Sequence, residues 1–373
     1  MDTETIIKKS ESFLQEIGSE SYSVFSGLKE KAEFNHIFQR FHALFDEDSI
    51  KKIQGATLYE FIKNEMAAFI TVHIVEKEIQ EDYDRYLTEE ASAEAVFEGR
   101  RIPLRLVPII AVNEPDCDSR HSLESARIHA QTTLNPLLTT VFEKTHRATA
   151  QLGFQSYRAM FETLENLPLE PLLTQALDFL ERTQKKYEKQ LAFYAEKFLG
   201  MDPRKLNRAD LAYLRRARFL DGLFEKEKML PAVWKTLHRM GINAENNKFL
   251  RIDLESREKK SPRACCVPVR VPEKIHLIMA PHGGVDDYAA FLHELGHALH
   301  YATTNPALSF PARFLGDNSI TETWAMTLEY LLLNPRWLRD TTGIAEPEEC
   351  VEFFEFIRIY LIRRYCSKLD YEL

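Results

Sequence analysis

The chain has 373 residues, 45% of them apolar and 28% charged, with a net charge of −9. That length allows two or three domains with a large buried core. An acidic balance disfavours nucleic acid, whose phosphates call for a basic face, and no segment approaches the roughly 18 consecutive apolar residues of a membrane span.

Most of the chain reads as helix. Apolar residues recur at steps of three and four over about 3–17, 22–45 and 56–89. The run 101–116 differs: it is rich in Ile, Leu and Val, is broken by Pro103 and Pro108, and reads as an extended excursion or edge strand. Helical patterns resume over 121–165 and 169–199, the latter stopped by Gly200, and again over 207–222 and 226–240. Between 247 and 281 the period shortens to β-like runs, after which helices are expected from about 286 to 302, over 318–333 and over 346–371. The change near residue 245 suggests a helical N-terminal domain, 1–245, and a mixed catalytic domain, 246–373. The five cysteines are odd in number and lack C-x-x-C spacing, so they read as reduced thiols of a cytoplasmic protein rather than zinc ligands.

The string that carries chemistry is His293-Glu294-Leu295-Gly296-His297. On a helix, positions i and i+4 share a face, so the two imidazoles can converge on one cation, and zinc takes nitrogen ligands well. Glu294 projects beside them, where it can accept a proton from a water on the metal as general base. Thr303 stands where a metzincin carries its third histidine, which excludes that subtype. His300 is too close to His297 on one rigid helix to join the same ion; it reads as a buried supporting residue or a partner of the ligands.

The following helix, 319–333, presents Glu322 and Glu329 seven residues apart on one face among apolar neighbours. Glu322 is expected to be the third zinc ligand, a gluzincin arrangement. Glu329 is expected to hydrogen-bond a ligand histidine, with a solvated surface carboxylate as the alternative. Asp286 and Asp287 read as helix caps, with a contact from Asp287 to a ligand histidine as the alternative. The run Lys274–Met279 is either an interior strand or an open edge that captures an extended peptide. On the second reading His276, Gly283 and Gly284 are candidate substrate contacts.

HELGHALH followed by SITETWAMTLEYL resembles the M3 metallopeptidases, the thimet oligopeptidase and oligoendopeptidase F group, over about residues 270–373. The resemblance implies a mainly α, two-lobed zincin with a small β-sheet next to the active-site helix. It also implies zinc held with Glu322, Glu329 behind it, short unstructured peptides as substrates, and a cytoplasmic oligopeptidase. The family's Gly/Tyr/His-rich stretch, whose tyrosine and histidine stabilise the oxyanion, has no counterpart before Leu373. A catalytic domain incomplete at its C-terminus, in a truncated chain or one lacking part of its equipment, that binds zinc but cleaves weakly or not at all is therefore expected. The competing readings are a metal-containing peptide-binding scaffold and a metallocarboxypeptidase. Oligomeric state leaves no mark in the sequence.

Overall fold

The computed structural model describes residues 1–373. In chain order it has helices α1 (Thr3–Phe25), α2 (Phe34–Phe41), α3 (Glu47–Gln54) and α4 (Glu60–Ser92), then strands β1 (Glu94–Phe97) and β2 (Arg100–Pro103). Helices α5 (Val107–Ala111), α6 (Cys117–Thr132), α7 (Asn135–Gln151), α8 (Tyr157–Leu164), α9 (Leu169–Leu199), α10 (Arg208–Arg216) and α11 (Lys226–Arg239) follow. Strands β3 (Leu250–Asp253), β4 (Cys265–Arg270) and β5 (Lys274–Ile278) precede α12 (Val285–Thr303), α13 (Phe310–Phe314), α14 (Asn318–Glu329), the single turn α15 (Pro335–Trp337) and α16 (Glu348–Glu372). This is the expected mainly α fold with a small sheet. No helix is long and apolar enough to cross a membrane, and all five cysteines are free thiols.

Two sequence expectations need correction. The predicted helix over 22–45 is interrupted, because α1 runs on to Phe25 and stops at Gly27, whose φ is +74°. A Cβ there would lie 2.5 Å from the backbone nitrogen of Lys260, so only glycine permits this approach. The run 101–116 is extended only at its start: β2 pairs antiparallel with β1, and the chain then turns into α5. Pro108 sits in the first turn of α5, where no amide hydrogen is needed, so it starts a helix rather than breaking a strand.

One compact unit combines Met1–Glu78 with Gly222–Pro347, so the change of period near residue 245 falls inside it. Its sheet has the order β3-β5-β4, with β5 parallel to β3 and antiparallel to β4. Both edges of β5 are therefore occupied, and the Lys274–Met279 run is an interior strand, not an open edge. Ile275, Leu277 and Ile278 are wholly buried. His276 is buried too, its ring stacked 3.8 Å from that of Tyr22 in α1. Phe13 of α1 meets Phe38, Phe45 and Phe69 edge-on, and the His73 ring stacks on Phe45 inside this aromatic cluster.

The other unit comprises Ile79–Asp221 and Glu348–Leu373. Here α9 packs along α16 through Tyr194, Phe353 and Phe356, with ring centroids 4.8–5.2 Å apart. A second apolar cluster (Ala95, Leu104, Val107, Leu123, Leu134) ties the β1–β2 hairpin to α5 and α6. Arg120 is buried and is fully engaged by Asp210 and by the carbonyls of Glu114 and Pro115.

Candidate metal centre

The sheet delivers the chain to α12 through Gly283 and Gly284, whose φ angles of 96° and 94° favour glycine. Oδ2 of Asp287 accepts hydrogen bonds from the backbone N–H of His282 (2.5 Å) and of Gly283 (2.6 Å), which closes the turn ahead of the helix; the N-cap itself is Gly284, not an aspartate. The Gly284 N–H donates to the Phe224 carbonyl (2.9 Å). Gly283, Gly284 and His276, the residues expected at the substrate, are thus engaged in the turn and in the sheet. Tyr288, Phe291, Leu292, Leu295 and Leu299 bury the other side of α12 and fix its rotation.

That rotation turns His293 and His297 toward α14, with their Nε2 atoms 3.2 Å apart. Glu322 meets them with Oε2 3.6 Å from His293 Nε2 and Oε1 3.7 Å from His297 Nε2. Ligand bonds of about 2.0–2.1 Å at tetrahedral angles place neighbouring donors roughly 3.3 Å apart. The three observed separations lie close to that edge length, so the residues fit a zinc ion. The ring chemistry agrees. Each Nδ1 already has an oxygen partner, Glu329 Oε2 at 2.9 Å for His293 and Thr321 Oγ1 at 2.8 Å for His297. With the Nδ1 hydrogens directed to those oxygens, both Nε2 lone pairs face one point. Glu322 is half exposed, which leaves a way in for a fourth ligand from solvent.

The hydrogen bond that His293 donates to Glu329 holds its pKa above the ordinary value, whereas burial pushes His297 below it. Burial likewise raises the Glu294 carboxyl. Glu294 does not point at the cluster unguided: its Oε2 accepts from the backbone N–H of Cys266 on β4 at 2.7 Å. The edge strand thereby orients the carboxylate.

No protein-family model and no curated protein matches the chain. Among solved structures, PZ peptidase A with an inhibitor superposes at a TM-score of 0.63 and 13% identity, over 95% of this chain and 66% of its own. A Bacillus anthracis str. Ames protein assigned as an oligoendopeptidase F superposes at 0.54 and 12% identity, over 94% of this chain and 63% of its own. The fold is one found in known peptidases. The chain spans less than two-thirds of the length of either structure.

Within this peptidase-like fold His300 stays out of the cluster. Its ring stacks on Trp324 with centroids 6.0 Å apart, and its buried Nδ1 has no hydrogen-bond partner. Glu329 is buried on His293, the expected contact rather than the solvated alternative. Three contributors went unrecognised in the sequence: Thr321, the Cys266 amide and Gly296. Only the last left a signal, since a glycine inside a helical pattern needs a packing reason. A Cβ on Gly296 would lie 2.4 Å from the Trp324 carbonyl oxygen and 2.5 Å from Ala325 Cα. This close crossing brings α14, and Glu322 with it, up to the histidines.

A second group, Cys117, His121 and Asp210, also converges, with Cys117 Sγ 3.6 Å from His121 Nε2 and that nitrogen 2.5 Å from Asp210 Oδ2. It does not fit a cation. Arg120 already occupies Asp210 Oδ1, and the Asn207 amide donates to Oδ2 within the cap of α10. The N-terminal ends of both α6 and α10 add positive potential there.

Proposed function

We propose that the chain is a zinc-dependent oligopeptidase, with His293, His297 and Glu322 as metal ligands and Glu294 as general base. The observation that carries this reading is the convergence of two imidazole nitrogens and one carboxylate, at separations suited to zinc, beside a second, separately oriented carboxylate, Glu294. Zinc bound there supplies Lewis acidity, bringing the pKa of a coordinated water toward about 7 and polarising a peptide carbonyl. Glu294 takes the proton from the attacking water and passes it to the departing amine nitrogen. The Cys266 N–H holds one carboxylate oxygen in place and leaves the other free for this transfer. Glu329 keeps His293 in the tautomer that offers Nε2.

Short peptides as substrates, internal cleavage and a cytoplasmic setting complete the proposal. They are supported by the M3-like motifs, the peptidase-like fold and the free thiols. The test is cleavage of an internally quenched peptide, blocked at its C-terminus, by the wild-type chain and by Glu294→Gln. The expected result is slow turnover by the first alone, with equal zinc content in both. Cleavage only of peptides with a free C-terminus would favour a carboxypeptidase, and equal activity of the two chains would remove Glu294 from the chemistry.

A further inference from the structure

α14 carries three threonines beyond its first turn, and they behave differently. Thr323 and Thr327 donate back to the carbonyls of Ser319 and Thr323, each at 2.7 Å, the usual way a helical threonine satisfies itself. Thr321 instead aims its hydroxyl across the helix crossing to His297 Nδ1 at 2.8 Å, and it is buried.

We infer that Thr321 is a positioning residue for the metal centre, its hydroxyl holding the His297 ring with Nε2 turned to Glu322 and His293. The inference rests on the zinc reading above. When Nε2 is a ligand the ring hydrogen resides on Nδ1, and the Thr321 oxygen accepts it. The two ligand histidines are thus held unequally, His293 by a carboxylate and His297 by a neutral hydroxyl. A carboxylate makes an imidazole more basic than a hydroxyl does, so His297 relies more on orientation than on induced charge.

Loss of such a partner typically weakens metal binding by about 10–100-fold. The test is the zinc dissociation constant of the full chain, measured by chelator competition for wild type, Thr321→Ser, Thr321→Ala and Thr321→Val. Melting temperatures in excess chelator are recorded alongside. The serine and alanine variants both lack the methyl group and differ only in the hydroxyl, so their comparison isolates it even if the valine variant folds poorly. Serine should bind within about threefold of wild type, and alanine and valine at least about tenfold more weakly. Serine and alanine variants that bind zinc alike would overturn the inference while leaving the metal centre intact. A wild-type chain that binds no zinc would instead sink the metal reading itself, and the inference with it.

Discussion

Replacing Gly296 with alanine should disturb the metal centre from a position that touches no metal. The added methyl carbon would stand 2.4 Å from the Trp324 oxygen, 2.5 Å from Ala325 Cα and 2.7 Å from Ala325 N, where ordinary contact begins at 3.4 Å. All three are backbone atoms, so no side-chain rotation relieves them, and α14 must retreat by about 1 Å. Overpacking of this kind costs about 1–3 kcal/mol, and contact with rigid backbone places it near the upper value. Alanine in place of helical glycine returns about 1 kcal/mol, which leaves a net loss of about 2 kcal/mol. For a unit of roughly 200 residues that lowers the melting temperature by about 4–8 °C. The same retreat carries Glu322 away from His293 and His297, whose separations of 3.6 and 3.7 Å already stand slightly beyond the ideal edge. Zinc affinity should therefore fall by at least about tenfold. Thermal unfolding in chelator reads the first effect, and chelator competition the second. An alanine variant that melts at or above the wild-type temperature and keeps its zinc affinity would refute the crossing as described.

Acid should destabilise the fold through two buried histidines. Burial lowers the pKa of His73 and of His276 from 6.5 to about 4. The unfolded chain then binds protons that the folded chain refuses between those values, so stability is full above pH 6.5 and falls as pH drops toward 4. Each ring contributes up to about 1.4 kcal/mol per pH unit in that window. Urea unfolding at several pH values should show a shallower dependence in His73→Leu than in wild type; equal slopes would contradict the neutral His73 ring. Glu329→Gln should weaken zinc binding by about 10–100-fold without altering the metal-free melting temperature by more than a few degrees, since the amide keeps the shape but loses the charge. In the other unit, Arg120→Met leaves Asp210 buried without its cation and should cost about 3–5 kcal/mol, read as a loss of helical signal at lower urea.

What the sequence disclosed follows the range of each interaction. His293, Glu294 and His297 were legible because a helix alone sets their relation, and α9 was read to its last residue because Gly200 closes it locally with a positive φ. Glu322 and Glu329 could be placed on one face of their helix, but their meeting with α12 depends on the Gly296 crossing, a tertiary fact. The end of α1 was missed since the reason for Gly27 lies at Lys260, far along the chain. The Cys266 amide was beyond reach for a different reason: a backbone N–H has no letter in the sequence, and only the register of β4 beside α12 shows which one meets Glu294. Thr321 resembles its sister threonines in every local respect, and only the opposing His297 distinguishes it.

The central claim is that two imidazoles of α12 and one carboxylate of α14 grip a single zinc ion. Metal analysis of the purified full chain after exhaustive dialysis tests this most directly, with His293→Ala and Glu322→Ala prepared in parallel. The account predicts one zinc per wild-type chain and almost none in either variant. A wild-type chain that retains no zinc, or variants that retain it undiminished, would contradict it.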